Sequence, residues 1–469
     1  MLETGPTRRG FLKATGALLA AGAASAQSSQ MPDAINLIYI HSHDSGRYLS
    51  PYGHGVPTPN LMRLARGGIV FRQMFAAAPT CSPSRAALLT GQSPHTAGML
   101  GLAHRGWSLN DYQQHLLYRL KSKGYHTVLA GLQHIAKDPH TIGYDEVYTQ
   151  KDTTVSVVAP RAVEFLRSKP TKPFFLDVGF FETHREYPKP TDNADYILPP
   201  PPIADTPETR YDMAGYYQSV RQLDRGVGIV LDALEEAGFA GNTLVLSTTD
   251  HGISFPDMKC NLRDTGMAIS CIMRGPGVFQ GPKAVDAMLS NIDIYPTLCE
   301  YFGIEIPSWV QGKSFMPVLT GKQSEINTEI FSEVTYHAAY EPKRCVRTHR
   351  YKYIRRYDGR TTTVLPNCDN GPSKTLWLNS GWQKAQLLQP EELYDLIFDT
   401  YEHNNLAHDP SHAAVLKQMR TSLHHWMERT NDPLLKGPVP LIAGGVTTDV
   451  DAVSPEPTIA PTAAKYNQR

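Results

Sequence analysis

Short apolar segments alternate with helical segments through the first half of the chain, and this alternation constrains the fold more than any other feature. The segment 35–40 is almost wholly apolar, as expected for a strand buried on both faces of a sheet. Helices are predicted over 59–66, 112–123 and 155–167, and apolar residues keep helical spacing over 220–234. The alternation predicts an α/β fold: a large mixed, mostly parallel sheet flanked by helices. The other predicted strands are residues 69–74, 126–130, 174–179 and 243–249.

Polar residues follow four of the predicted strands at the point where each apolar run ends. Ligand sites in open α/β sheets lie at the carboxyl ends of the strands. We therefore expect these side chains to converge on one edge of the sheet. They are His43 with Asp44, His134, His184, and Asp250 with His251.

A candidate anion site begins at Cys81, with the sequence Cys-Ser-Pro-Ser-Arg-Ala-Ala-Leu-Leu-Thr-Gly. Ser82 or Ser84 could cap a short helix here, and Gly91 could end it. A helix N-terminus favours negative charge, and Arg85 in the first turn adds a permanent positive charge. Taken alone, a lone cysteine in such a place is more often an ordinary buried residue.

This eleven-residue stretch resembles the signature of the type I sulfatases, formylglycine-dependent members of the alkaline-phosphatase superfamily. The resemblance extends over residues 35–432 and is greatest to the heparan N-sulfatase (sulfoglucosamine sulfohydrolase) branch. It implies an alkaline-phosphatase-like sheet and oxidation of Cys81 to formylglycine by a maturation enzyme. The stretches that favour this branch are residues 91–102, 333–336, 393–396 and 430–433.

The resemblance implies a divalent metal bound by residue 81, Asp44, Asp250 and His251. Carboxylate ligands suit Ca²⁺, with Mg²⁺ or Mn²⁺ as alternatives. His43 stands where the family has a second aspartate. If His43 binds the metal, its nitrogen favours manganese or zinc; if it is a solvent-facing turn residue, the site has lost a carboxylate. His41 is a weaker candidate ligand.

The resemblance also assigns the catalytic residues. Arg85 would act with the metal on the nucleophile, and Lys259 and His184 would stabilise charge on the sulfate. His134 or His184 would protonate the leaving atom. Leu132 stands where the family has a lysine. Gln133 or Lys137 could compensate for that lost charge.

Substrate contacts are expected mainly from the second half of the chain. Lys343 and Arg344 could bind carboxylates of an acidic sugar polymer, or they could belong to a solvated strand edge. The other candidate substrate residues are Glu182, Glu333 and His337. A basic run that extends this segment comprises Arg347, Arg350, Lys352, Arg355 and Arg356.

The expected organisation has a catalytic domain and a smaller α+β domain. The catalytic domain covers 32–321, and a C-terminal domain with an antiparallel sheet and a closing helix covers 322–435. The tail 436–469 is rich in proline, threonine and alanine, so we expect it to be extended or disordered.

The N-terminus predicts export. Residues 1–26 read as a twin-arginine signal peptide, with Arg8 and Arg9 before a short alanine-rich run. Such a protein passes through the twin-arginine export machinery already folded, so Cys81 would be modified before export and a disulfide framework is not expected. The mature protein should be periplasmic or secreted, without a membrane anchor. Lysine plus arginine number 45 and aspartate plus glutamate 45, a balance that does not favour nucleic-acid binding.

The sequence thus predicts an exported sulfatase that acts on a sulfated oligosaccharide or polysaccharide, with N-sulfated glucosamine as the first candidate and an O-sulfated sugar nearly equal. Two alternatives stay open. One is a phosphonate or phosphate ester hydrolase of the same superfamily, and the other is an inactive glycan-binding relative.

Overall fold

The fold is taken from a computed structural model that describes residues 34–148 and 151–456. The predicted signal peptide and the last residues of the tail lie outside the described residues. The described strands are β1 (Asn36–Ser42), β2 (Ile69–Phe71), β3 (Met74–Phe75), β4 (His126–Gly131), β5 (Glu146–Tyr148), β6 (Phe174–Gly179), β7 (Thr243–Thr249), β8 (Ala268–Ile269), β9 (Cys271–Arg274), β10 (Lys283–Val285), β11 (Leu289–Ser290), β12 (Glu329–Tyr336), β13 (Tyr340–Thr348), β14 (Tyr351–Arg356) and β15 (Glu391–Asp395).

Helices connect most of these strands and cover both faces of the main sheet. They are α1 (Pro59–Gly67), α2 (Cys81–Thr90), α3 (Pro94–Ala97), α4 (Leu116–Lys121), α5 (Val155–Arg167), α6 (Pro207–Glu236), α7 (Asp264–Met267), α8 (Ile294–Tyr301), α9 (Met316–Leu319), α10 (Pro372–Asn379), α11 (Trp382–Ala385) and α12 (Ala413–Arg429). Helices α1, α5 and α6 pack on one face, and α2, α4 and α8 pack on the other.

The main sheet has eight strands in the order β10-β2-β9-β7-β1-β6-β4-β5. Strand β9 pairs antiparallel with both neighbours, and the other pairs are parallel. The predicted mixed, mostly parallel sheet is confirmed. Strands β7, β1, β6 and β4 are neighbours in the sheet, so their carboxyl ends meet at one edge.

The sequence of β1 explains its central place. Every residue of the strand is buried. Leu37 and Tyr39 join the core on one face, while Ile38 and Ile40 join the core on the other. An alternating polar pattern could not occupy such a position, because successive side chains point to opposite faces.

Two predicted elements differ from the structure. The segment 69–74 is not one strand, because β2 belongs to the main sheet and β3 does not. The helix predicted over 112–123 is a 3-10 turn followed by the shorter α4, since His115 adopts an extended conformation between them. The His115 side chain accepts a hydrogen bond from Leu117 N and caps α4.

A second sheet of four antiparallel strands, β12 to β15, follows the proposed boundary at residue 321. Helix α12 packs against it. The two sheets do not have separate cores: Val346, Tyr353 and Trp426 belong to the same buried cluster as Leu37 and Tyr39. The boundary separates two sheets, and it crosses a continuous hydrophobic core.

The segment 437–456 forms no helix or strand, but it is packed against the rest of the molecule. Val439, Thr447 and Thr448 are buried. Thr448 N donates to Ala338 O over 2.8 Å, and Lys374 Nζ donates to Val453 O over 2.7 Å. We call this part of the chain the C-terminal strap.

Candidate active site

The polar residues that follow β1, β4, β6 and β7 converge at one edge of the main sheet, as the sequence predicted. The His43 ring lies 5.7 Å from the His134 ring and 5.9 Å from the His184 ring, between centroids. His43 Nδ1 also lies 3.3 Å from Asp250 Oδ2. We call these side chains the strand-end cluster. Its members are His43, Asp44, His134, His184, Asp250 and His251.

Gly179 allows the strands to approach one another at this edge. A Cβ atom on Gly179 would lie 2.1 Å from Leu132 O and 2.6 Å from His41 Cε1. These contacts are impossible for any other residue without moving the backbone. The close packing of the ends of β1, β4 and β6 therefore requires glycine here.

Cys81 is the first residue of α2 and faces the strand-end cluster. Thr80 before it is extended, and Gly91 ends the helix with a φ of 68°. Gly91 ends the helix as predicted, but the predicted serine cap is wrong: Ser82 Oγ accepts from Ala103 N, and Ser84 Oγ donates to Asp250 O. Both serines tie α2 to neighbouring loops instead, which fixes the direction in which Cys81 points.

Cys81 is only 2% exposed, and its Sγ lies 3.3 Å from His251 Nε2. Burial raises the pKa of the thiol well above its usual range, although Lys259 opposes this shift. Ligand atoms of Cys81, His43, Asp44 and Asp250 all lie within 4.8 Å of one another. That spacing suits donors arranged around one ion.

The hydrogen-bonding state of His251 tests whether these residues fit a metal. His251 Nδ1 lies 2.9 Å from Gly252 O, and because a carbonyl only accepts, Nδ1 carries the proton. The Nε2 lone pair then faces Asp44 Oδ1 at 3.3 Å. Asp44 Oδ1 has no hydrogen-bond donor in the described chain. Two acceptors that face each other in a buried site fit a cation between them.

Arg85 is buried and bridges two members of the strand edge. Its guanidinium donates to Asp250 Oδ2 over 2.9 Å and to Ser42 O over 2.7 Å. Burial alone would raise the pKa of Asp250, but its interactions with the His251 ring and the Arg85 guanidinium hold it well below its usual range. Asp250 is therefore an anion throughout the physiological range.

His41 is not placed as a metal ligand, which corrects the weaker sequence hypothesis. Its Nδ1 lies 2.5 Å from Arg85 Nη1, and its Nε2 lies 2.8 Å from Asp177 Oδ1. Arginine only donates, so Nδ1 accepts and Nε2–H donates to the carboxylate. Both ring nitrogens of His41 are occupied in orienting Arg85.

Lys259 lies between two carboxylates beside Cys81. Its Nζ donates to Asp44 Oδ2 over 2.8 Å and to Asp369 Oδ2 over 2.7 Å. These carboxylates outweigh the effect of burial and raise the pKa of Lys259 well above its usual range. His184 Nε2 lies 3.2 Å from the same ammonium, and its Nδ1 donates to Arg185 O. The sequence prediction places Lys259 and His184 at the sulfate, and the structure places them side by side.

His134 lies beside His43 and Cys81, and potential ligand atoms of the three lie within 4.8 Å of one another. His134 has a φ of 66°, and its Nε2 lies 2.9 Å from His104 Nδ1. The two rings are stacked with 9° between their planes. His134 Nδ1 is buried without a partner in the described chain. That nitrogen is the one available to a substrate.

Gln133 does not compensate for Leu132. Its side chain is buried and contacts His115 and Asp177 behind the sheet edge. Lys137 is exposed, and within residues 34–148 and 151–456 no hydrogen bond or ion pair ties it to the site. The lost positive charge at Leu132 therefore has no replacement from these two candidates.

The candidate substrate residues divide into two groups. His337 is buried beside the site: burial and the charge of Lys259 lower its pKa well below the usual range. Glu182 does not face the pocket, because its carboxylate accepts from Val155 N at 3.0 and 3.1 Å and caps α5. Lys343 Nζ donates to Cys260 O over 3.0 Å and pairs with Glu341. Glu182 and Lys343 are thus bound within the protein.

Glu333 and Arg344 form part of a buried group that we call the ion-pair cluster. Arg344 is 0% and Glu333 2% exposed. Arg344 pairs with Glu333 and Asp432, and His95 Nδ1 lies 2.9 Å from Glu333 Oε2. The expected substrate contacts of Glu333 and Arg344 are corrected, because their charges are satisfied inside the second sheet. The ion-pair cluster comprises His95, Glu333, Arg344 and Asp432.

The basic run in β13 and β14 is also largely paired. Arg347 and Lys352 both contact Asp264, while Arg350 contacts Asp395. Arg356 contacts Glu341 and Asp358. The run is therefore mainly a set of ion pairs within the fold, and of its members Arg350 and Arg355 are exposed.

Two residues near the site were missed by the sequence reading. Asp369 contacts Lys259 and, through Ser254 Oγ, the loop after β7. His104 contacts His134. His104 lies in a short 3-10 helix and Asp369 in a loop, and neither directly follows a strand, so the strand-end rule could not find them. A search for every titratable residue outside the predicted strands and helices would have found Asp369 and His104, but among many unrelated residues.

The chain matches two family models. The Sulfatase model matches residues 35–304, so the chain belongs to the sulfatase family and is an enzyme of the sulfatase class. The model described as N-sulphoglucosamine sulphohydrolase, C-terminal, matches residues 257–386. The predicted resemblance to that branch is confirmed.

Curated relatives include three sulfatases of different names. Human N-sulphoglucosamine sulphohydrolase is 29% identical over 86% of this chain and 92% of its own length. An ulvan-active sulfatase of Formosa agariphila is 28% identical over 87% of this chain and 83% of its own. A Δ4,5-hexuronate-2-O-sulfatase of Bacteroides thetaiotaomicron is 26% identical over 88% of this chain and 92% of its own.

Solved structures share the fold. A protein in complex with its substrate D-glucosamine-2-N,6-O-disulfate has a TM-score of 0.66 at 18% identity, covering 86% of this chain and 99% of that one. A 2-O GAG sulfatase has a TM-score of 0.66 at 21% identity, covering 92% and 100%. The predicted alkaline-phosphatase-like fold is confirmed.

Proposed function

We propose that this chain is an exported sulfatase that hydrolyses sulfate groups from a sulfated glycan, with residue 81 as the nucleophile. The observation that carries the proposal is the position of Cys81. It begins a buried helix, its Sγ contacts His251, and its ligand atom lies within 4.8 Å of those of His43, Asp44 and Asp250. Lys259 and His184 stand beside this group and can bind an anion.

The donor set fits a divalent cation held by residue 81, Asp44, Asp250 and the lone pairs of His43 and His251. Such an ion would polarise sulfate oxygens and lower the pKa of a hydroxyl at residue 81. Oxidation of Cys81 to formylglycine would give that residue a hydrated aldehyde with two hydroxyls, one to attack sulfur and one to release sulfate.

The other residues of the chain bind and orient. Lys259 and His184 would neutralise charge on the sulfuryl oxygens. Arg85, held by His41 and Ser42, would fix Asp250 and add positive charge behind residue 81. His134 or His184 would give a proton to the departing oxygen or nitrogen, and His337 faces the same space as a substrate contact.

The first candidate substrate is a glycan with N-sulfated glucosamine. Support comes from the C-terminal family model and from the human relative named N-sulphoglucosamine sulphohydrolase. An O-sulfated sugar is the second candidate, since relatives named for ulvan and hexuronate-2-O-sulfate align over similar lengths. Residues 1–26 support periplasmic or secreted localisation through twin-arginine export. Among residues 34–148 and 151–456, no helix is both long and apolar enough to span a membrane.

Sulfate release from defined oligosaccharides tests the proposal. The full chain is co-expressed with a formylglycine-generating enzyme, and mass analysis of the peptide 81–91 measures conversion. Matched N-sulfated and O-sulfated oligosaccharides are then supplied, with Cys81→Ala as the control protein. We expect sulfate release from the N-sulfated member and none from the control.

Two outcomes would refute the proposal, and each would support one of the alternatives. Turnover of phosphonate or phosphate esters with no sulfate release would support the hydrolase alternative, since a similar site can bind phosphoryl groups. An unmodified thiol after co-expression, together with glycan binding and no turnover, would support an inactive glycan-binding protein.

A further inference from the structure

We propose that the metal site around residue 81 selects a first-row transition ion, Zn²⁺ or Mn²⁺, over Ca²⁺. His43 supplies an imidazole nitrogen at the position where the family resemblance implies a carboxylate. The inference rests on the proposed function and deepens it by naming the class of ion at the same site.

The position of His43 is the first observation. It follows β1 and is only 1% exposed, so it is not a turn residue that faces solvent. Neither ring nitrogen has a hydrogen-bond partner in the described chain, although Nδ1 lies 3.3 Å from Asp250 Oδ2. Buried polar atoms almost always have partners. An imidazole that is buried beside two carboxylates and lacks a partner is placed to bind an ion.

His251 supplies a second nitrogen in the required orientation. Its Nδ1–H donates to Gly252 O, and its Nε2 faces Asp44 Oδ1 and Cys81 Sγ, each at 3.3 Å. Metal-binding histidines usually donate their other N–H to a carbonyl or carboxylate, which fixes the tautomer. The arrangement at His251 matches that rule.

The carboxylates are few and already contact cations. Asp44 accepts from Lys259, and Asp250 accepts from Arg85. Ca²⁺ prefers six to eight oxygen ligands, and its affinity grows with the number of charged ligands. Two imidazoles and two carboxylates that also contact Lys259 and Arg85 form a poor calcium site, whereas imidazole binds transition ions strongly.

Competitive metal binding tests the inference without using activity. Converted full-length protein is freed of metal and dialysed against equal free concentrations of Ca²⁺, Mg²⁺, Mn²⁺ and Zn²⁺. Elemental analysis then measures the bound ions. We expect Zn²⁺ or Mn²⁺ to be retained over Ca²⁺ by about tenfold or more. Mass analysis of residue 81 ensures that an unconverted thiol does not account for zinc binding.

The variant His43→Asp should move the preference towards Ca²⁺ by about tenfold, because it replaces nitrogen by carboxylate oxygen. His104→Asp is the matched control: it makes the same exchange at an exposed ring next to His134, outside the ligand set. If His43→Asp does not fold, His43→Asn is used in its place. Asparagine has nearly the volume of aspartate but supplies a neutral oxygen, so this variant should retain less Zn²⁺ or Mn²⁺.

Three results would overturn the inference. They are retention of Ca²⁺ by the converted wild-type protein, an unchanged preference in the folded His43 variant, and an equal change in His104→Asp. Failure of the proposed function is distinguishable. A protein that retains Zn²⁺ or Mn²⁺ but releases no sulfate from any glycan would refute the sulfatase activity and leave the ion assignment intact.

Discussion

The strand-end cluster and the ion-pair cluster both bury charged side chains, but they satisfy them differently. In the ion-pair cluster, Arg344 pairs with Glu333 and Asp432. His95 Nδ1 contacts Glu333 as well, and the His95 ring packs edge-on against Trp426 at 5.2 Å. Each charge has a counter-charge, so this cluster joins the second sheet to the segment that follows α12.

In the strand-end cluster, several buried polar atoms lack a hydrogen-bond partner. Asp44 Oδ1, both nitrogens of His43 and Nδ1 of His134 have no partner in the described chain. Leaving a buried polar atom unpartnered costs about 1–3 kcal/mol. In the ion-pair cluster His95 Nε2 is the one such atom among the described side chains. The difference teaches that burial and charge alone do not identify a functional site, whereas a concentration of buried polar atoms without partners points to one. The following predictions test this contrast from the largest expected effect to the smallest.

Replacing the nucleophile should give the largest effect. Cys81→Ala removes the only group at residue 81 that can be converted, so we expect sulfate release to fall about ten-thousandfold or more. Because the side chain is small, the fold should persist, as measured by circular dichroism and thermal unfolding. Wild-type rates of sulfate release in this variant would refute the role of residue 81.

Breaking the ion-pair cluster should affect stability and not catalysis. Arg344→Met leaves Glu333 and Asp432 buried and uncompensated, so the free energy of unfolding should fall by about 3–5 kcal/mol. Denaturant unfolding measures this change. Arg355→Met, at an exposed position of the same sheet, is the control and should change stability by no more than about 0.5 kcal/mol.

A fall in kcat of the folded Arg344→Met protein beyond twofold would contradict the division between the two clusters. It would show that Arg344 contributes to the chemistry despite its burial.

Removing the ammonium at the site should affect catalysis. Lys259→Met should lower kcat about 100- to 1000-fold, because Lys259 would no longer neutralise charge that develops on the sulfuryl oxygens. Lys343→Met is the matched control, since Lys343 is also a buried lysine but donates to Cys260 O and pairs with Glu341. Equal losses of kcat in the two variants would show that Lys259 contributes no more to catalysis than a lysine bound within the fold.

The smallest effect is expected at Glu182. Its carboxylate accepts from Val155 N at the start of α5, so Glu182→Ala should lower the free energy of unfolding by about 1 kcal/mol. The Michaelis constant for the glycan should stay unchanged. A severalfold rise in that constant would restore Glu182 as a substrate residue.

The sequence predicted the parts of this site that depend on regular structure. β6, β7 and α5 match their predicted bounds, because long apolar runs and clear periodicity define them. His43, Asp250 and the other strand-end residues follow from the rule that parallel strands end at one edge. The sequence could not predict where the side chains of Glu182 and Arg344 point, because their orientation depends on contacts with residues distant in the sequence. Asp369 lies in an irregular loop that tertiary contacts alone place beside Lys259.

The C-terminal strap has a consequence for the order in which the site can form during synthesis. It bonds the loops that carry His104, His337 and Asp369: Val446 N donates to Arg105 O, Thr448 N to Ala338 O, and Asn370 Nδ2 to Ser454 Oγ. The ribosome releases this segment after every residue of the strand-end cluster. A nascent chain therefore carries Cys81 and the proposed metal ligands before the C-terminal strap can hold the loops of His104, His337 and Asp369 in place.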